Sequence, residues 1–182
     1  MRVQDINRQT TILLVIRMGL IFGITGILFV LFQLISGNMV KGIQWPNLVL
    51  FVINGILATL MVKHYRNTDN LGYITFGKSF KISFWSLMIG GLIAALFNIL
   101  ITKLLYPGIL MQELKELENN MIKQGLPDDQ TIKLLRFYKL ILLNPFLNIL
   151  IFMANYAILG LVTSLIVAGL TKRVSMGFLS ED

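Results

Sequence analysis

One segment restricts the fold more than any other. Residues 82–106, ISFWSLMIGGLIAALFNILITKLLY, are apolar apart from Lys103 and a few small polar side chains. A helix of about 20 such residues crosses a hydrocarbon core about 30 Å thick. In that medium every backbone N–H and C=O needs an internal partner, so the run must be helical. At Pro107 the pattern changes. Residues 109–124, ILMQELKELENNMIKQ, are charged, with apolar residues at helical spacing. A span joined directly to a polar helix dictates a membrane protein with one sizeable part outside the bilayer.

Composition agrees. Of 182 residues, 55% are hydrophobic and only 14% charged, against about a quarter charged in a soluble domain. Lipid must therefore serve as solvent for much of the surface. The length suits one unit, residues 1–182. Cysteine is absent, which excludes a disulfide framework, a thiolate nucleophile and a Cys-based metal site. The net charge of +7 comes from residues that cluster beside apolar runs. Topology signals and anionic lipid head groups account for them, and no nucleic-acid partner is expected.

Four spans are expected, at about 12–35, 46–64, 82–106 and 146–170. Arg17 lies inside the start of the first and can snorkel to the interface. Trp45 and Pro46 suit the interfacial start of the second, which is the shortest run. Lys63, Arg66, Lys78 and Lys81 mark residues 63–81 as a basic loop, with Asp69 its one acid.

Residues 108–144 read as a hairpin of two amphipathic helices. Leu110, Leu114, Leu117 and Met121 form the stripe of the first, and Gly125 stops it. Pro127, Asp128 and Asp129 restart the chain, and residues 131–143 carry a second stripe through Leu135 and Tyr138. Arg2, Arg8, the basic loop, Lys172 and Arg173 put both termini in the cytoplasm by the positive-inside rule. Only Lys41 falls in the short turn on the other side. The expected fold class is thus all-α: an integral membrane four-helix bundle with an extracytoplasmic amphipathic helical hairpin.

The run GYITFGKSFKISFW, the span ending LLYPGIL and the acidic helix with its KQGLPDD turn resemble a known family. It is the DUF4199-like family, an uncharacterised bacterial group of four-span inner-membrane proteins catalogued as a domain of unknown function. The matching positions are Gly72, Phe76, Gly77, Phe80, Pro107, Gly160, Lys172 and Arg173. The resemblance implies a multi-pass protein of the bacterial inner membrane and brings no activity with it.

Residues able to carry chemistry are sparse. His64 stands beside Lys63 and Arg66 with Asp69 as the nearest carboxylate, and reads as a solvated interfacial side chain. Every acid lies outside the spans, so the intramembrane carboxylates of proton-coupled carriers are missing. Ser83, Ser86, Thr163 and Ser164 have no histidine placed to activate them, and no phosphate loop, HExxH or EF-hand pattern occurs. Neither an enzyme nor a cofactor is expected.

The remaining candidates are contact residues. Lys103 either snorkels to the interface or binds a lipid phosphate or a partner's carboxylate. Asn54, Asn98, Asn148 and Asn155 either join helices or converge on a polar pocket. Gly19 and Gly23, Gly90 and Ala94, and Gly91 and Ala95 are spaced for close helix packing, as are Gly160, Ser164 and Ala168. The last stripe is the exception expected to face a partner. The hairpin stripe either buries itself or docks. Lys78 and Lys81, interleaved with Tyr65, Tyr73, Phe76 and Phe80, are placed to grip anionic lipid.

The functional expectation is a non-enzymatic membrane subunit or scaffold, packed against a membrane-protein partner or a second copy through these stripes and the hairpin. The alternative is a small carrier or lipid-handling accessory, assisting a membrane glycosyltransferase. That alternative requires a cavity lined by the asparagines and Lys103.

Overall fold

A computed structural model describes residues 2–37, 45–125 and 128–173. The Lys41 turn, Pro127 and the tail after Arg173 lie outside the described residues, as do the side chains of Arg2, Arg8, Trp45, Pro46 and Asp128. Among the described residues six helices make the fold all-α. They are α1 (Arg2–Ile35), α2 (Trp45–Thr68), α3 (Phe76–Leu100), α4 (Gly108–Lys123), α5 (Asp128–Leu143) and α6 (Pro145–Thr171). A wide π turn, Ile101–Leu105, extends α3. Among the described residues four segments are long and apolar enough to cross a membrane: Gln9–Ile35, Leu48–Thr68, Phe76–Leu105 and Pro145–Thr171.

Helix boundaries follow from local chemistry. The Thr75 hydroxyl accepts a hydrogen bond from the Lys78 amide at 3.3 Å and starts α3. The Asn144 side chain accepts from the amides of Phe146 and Leu147, and Pro145 occupies the first turn of α6. Gly125, at φ +71°, ends α4 in the left-handed region. Residues 63–81 are not the loop that their charges suggest. Lys63 and Arg66 lie on α2, Lys78 and Lys81 on α3, and only residues 69–75 connect the two helices. The charges stay helical because long cationic side chains at a helix end reach the interface without breaking the helix.

α3 is the hub. It packs along α1 on one side and α6 on the other, while α2 leans mainly on α6. Its buried face explains this: apart from Ile82 and Leu87 it consists of the small residues Ser79, Ser83, Ser86, Gly90, Gly91, Ala94 and Ala95. A Cβ at Gly90 would lie 2.5 Å from Phe22 Cβ and 3.1 Å from Gly23 N, and one at Gly91 would lie 2.4 Å from the Tyr156 ring. Without a hydrophobic drive between helices in lipid, such close backbone approach supplies the attraction.

The Gly160, Ser164 and Ala168 stripe is also spent inside the chain. All three residues are buried, and a Cβ at Gly160 would rest 3.8 Å from Leu87 Cβ. The expectation that this stripe faces a partner is corrected: it faces inward because α6 needs its small residues to lie against α3.

The ends of the bundle differ. The early part of α1, the end of α2, the start of α3 and the end of α6 gather at one end, joined by Thr11–Tyr65 and Ser79–Thr171 hydrogen bonds. The α4–α5 hairpin sits at the other end, where Lys103 reaches the end of α5.

Candidate functional site

The densest polar construction in the described residues is the end holding residues 69–75. Leu71 (φ +52°) and Gly72 (φ +83°) turn the chain from α2 into α3. Ile74 then forms an isolated antiparallel bridge with Arg173, each amide bonding the other's carbonyl at 2.9 Å. The Arg66 guanidinium donates to the Thr171 carbonyl at 3.0 Å, placing a cation at the negative end of α6. Tyr65 is buried and shares a hydrogen bond with Thr11 at 2.9 Å. The Lys78 ammonium donates to Asn70 Oδ1 at 2.9 Å and lies 5.1 Å from the centre of the Tyr65 ring. Asn70 also donates to the Tyr73 carbonyl. Asp69 and Asn70 thus lie in an ordered turn at the end of α2, while His64 is exposed beside it.

Next to this construction a groove of about 710 Å³ runs between α1 and α3. Lys78, Lys81, Thr75 and Gly77 line its polar mouth. Ile12, Val15 and Ile16 form one wall, and Ile82, Trp85 and Ile89 the other. Ile82 is only 1% exposed and forms the floor, whereas Trp85 is 57% exposed at the rim. The groove has a physical cause. α1 and α3 touch at Gly19, where a Cβ would meet Ile89 Cγ2 at 2.6 Å. Toward the polar end α1 presents Ile12, Val15 and Ile16 in place of glycine. The structure thus brings Lys78 and Lys81 together on one mouth.

The other predicted contacts disperse. Lys103, on the π turn, donates to the Leu143 carbonyl and caps the end of α5. This gives Lys103 a structural use within the chain. Asn98 is half-buried on α3, and its backbone carbonyl accepts from Thr102 Oγ1 at 2.9 Å. Asn54 is buried and accepts from Thr25 at 2.9 Å, joining α2 to α1. Asn155 faces outward and donates to Ile151. Among the described residues, neither Lys103 nor any of these asparagines lines the α1–α3 groove, and Asn54 Nδ2 is buried without a hydrogen-bond partner. Ser83 and Ser86 are buried and donate to Ser79 and Ile82 carbonyls one turn back.

The hairpin is only partly self-covering. Leu110, Met121 and Thr131 are buried, but Ile122, Ile132, Phe137, Tyr138 and Leu140 are exposed, Phe137 to 60%. Arg136 and Lys139 border Leu140 and Leu143 along a shallower groove of about 500 Å³. Burial pushes the Glu113 carboxyl above its usual range.

Sequence reasoning missed the Arg66, Thr171, Ile74 and Arg173 ties and the apolar walls of the α1–α3 groove. The Thr75 cap ahead of Lys78 and Ser79 was the one available signal that α3 begins early.

Four apolar helices packed through small residues, with a polar hairpin at one end, define a multi-span membrane helical bundle. Within that class the chain belongs to the family described as protein of unknown function DUF4199, whose model matches residues 17–173. No curated protein and no solved structure matches it.

Proposed function

We propose that the protein is a non-enzymatic subunit of a membrane assembly, docked through the α4–α5 hairpin. The observation that carries this reading is the exposure of Ile122, Ile132, Phe137 and Leu140 on helices rich in charge. These helices are too polar for hydrocarbon, yet they leave large apolar side chains uncovered, which is the mark of an interaction surface. Arg136 and Lys139 beside Leu140 and Leu143 suit a partner that presents carboxylates around an apolar patch. The small-residue stripes take no part, since the chain uses them internally.

The basic residues at the opposite end favour a bacterial inner membrane, with both termini in the cytoplasm and the hairpin on the far side. A second reading, lipid handling, draws support from the Lys78 and Lys81 groove rather than from the asparagines.

The chain has no cysteine, so single introduced cysteines report topology cleanly. In intact cells, Asn119→Cys should react with an impermeant maleimide and Lys172→Cys should not. A photocrosslinking residue at Phe137, in native membranes, should give one protein adduct of defined mass. Leu140→Asp should abolish that adduct. Adducts with lipid alone would refute the docking role.

A further inference from the structure

We propose that the groove between α1 and α3 binds an anionic phospholipid. Its phosphate is held by Lys78 and Lys81, and one acyl chain lies between Ile16 and Trp85.

Shape comes first. The groove is a wedge, closed where Gly19 meets Ile89 and open at the polar end. From Gly77 to Ile89 it follows α3 for about 18 Å at 1.5 Å per residue. One leaflet contributes about 15 Å of a 30 Å hydrocarbon core. The wedge therefore runs from the head-group layer to the bilayer centre, the path of a single acyl chain. Exposure of Ile12, Ile16 and Trp85 shows that its rim is on the outer surface of the bundle, where lipid has access.

Charge comes second. Lys78 and Lys81 are three residues apart on α3, so both cations lie on one side of the helix at the mouth. Asn70 and the Tyr65 ring fix the position of the Lys78 ammonium. Ordering it in advance lowers the entropic cost of ligand binding. Gly77 has open space where a side chain would stand, so the α3 backbone is uncovered beside the cations.

Together these features select the ligand. A zwitterionic head group carries its own ammonium into a mouth that already holds two. A free phosphate gains nothing from the six apolar wall residues. A lipid with net negative charge satisfies both parts. This site is at the opposite end of the bundle from the hairpin, so it stands or falls separately from the docking role.

Trp85 is one of only two tryptophans, so a Trp45→Phe background makes it the sole tryptophan, excited selectively at the red edge of protein absorption. The full chain is reconstituted in phosphatidylcholine bilayers containing phosphatidylglycerol or phosphatidylcholine with brominated chains. Brominated phosphatidylglycerol should quench Trp85 preferentially and saturate at low mole fraction. Lys78→Gln and Lys81→Gln should each weaken this preference about fivefold, the effect of one surface cation on an anionic lipid. Lys81→Gln alone suffices as a test, because Lys81 is exposed and separate from the Asn70 and Tyr65 contacts. Ile16→Phe keeps both cations but fills the wedge, and should also lower quenching.

Equal quenching by the two lipids overturns the proposal. So does an equal loss from Lys63→Gln, which lies outside the groove and would reveal only a diffuse surface potential. Displacement by inorganic phosphate at matched ionic strength would make this a simple anion site and refute the lipid assignment.

Discussion

Replacing Gly90 with alanine adds one methyl group at the tightest point between α1 and α3. The new carbon would lie 2.5 Å from Phe22 Cβ, 3.0 Å from the Phe22 backbone carbon and 3.1 Å from Gly23 N. Nonbonded carbons are comfortable at about 3.5–4.0 Å, so α1 must retreat by about 1 Å. Two of the three obstacles are backbone atoms, and no rotamer change relieves them. Retreat also loosens the contacts of Gly19 with Ile89, Gly23 with Ile93 and Gly26 with Ala94. Overpacking of this kind costs about 1–3 kcal/mol, and the backbone clash places Gly90→Ala in the upper half of that range.

For a chain of this size, a loss of about 2–3 kcal/mol lowers the unfolding midpoint by about 4–12 °C. Thermal unfolding in a mild detergent, followed by near-ultraviolet circular dichroism, reads the shift. Gly169→Ala is the matched control for helix propensity, because nothing lies within 4 Å of its added carbon. Gly160→Ala should follow the control, since its added carbon meets Leu87 at an ordinary 3.8 Å. If Gly90→Ala unfolded with the control, or Gly160→Ala fell as far as Gly90→Ala, the assignment of the α1–α3 crossing as the principal close contact would be wrong.

Other consequences are as specific. Asn144→Ala removes the acceptor for two α6 amides and should cost about 1 kcal/mol in thermal unfolding, while Asn144→Ser should retain most of that. Arg66→Ala deletes the cation on the Thr171 carbonyl, worth about 1.5 kcal/mol for a half-buried charged donor. Hydrogen exchange at the Ile74 and Arg173 amides should then speed up about tenfold, and unchanged protection would show that Arg66 does not hold the bridge. Because burial raises the folded-state pKa of Glu113, its carboxyl favours the folded hairpin when protonated. That contribution is complete below the unfolded value of about 4.3 and is lost as pH rises through the raised folded value. Resistance of the hairpin to proteolysis should therefore fall with rising pH in the parent chain, and Glu113→Gln should flatten the profile.

The spans were legible because continuous apolarity survives without any knowledge of neighbours. The start of α3 was not, because Lys78 and Lys81 resemble loop charges until the Thr75 cap and the interface are considered together. The small-residue spacings announced close helix contacts correctly at Gly90 and Gly91. They gave no direction, so Gly160, Ser164 and Ala168 read equally well as an outer or an inner face. Single hydroxyl pairs such as Ser79 with Thr171, 92 positions apart, carry no periodic signal at all. The groove depends on how two helices pack, and it closes where Gly19 meets Ile89, a contact between residues 70 positions apart.

The Ile74–Arg173 bridge also imposes an order in time. Arg173 follows the final span, so the ribosome delivers it after every helix of the bundle. Ile74, in the connection synthesised long before, has no partner for its amide and carbonyl until then. The α1–α3 pair can meet early through its glycines, but its polar end is sealed only when the fourth span arrives and Thr171 reaches Ser79. A chain interrupted ahead of that residue would carry an intact crossing with an unfastened end, a distinctive substrate for membrane quality control.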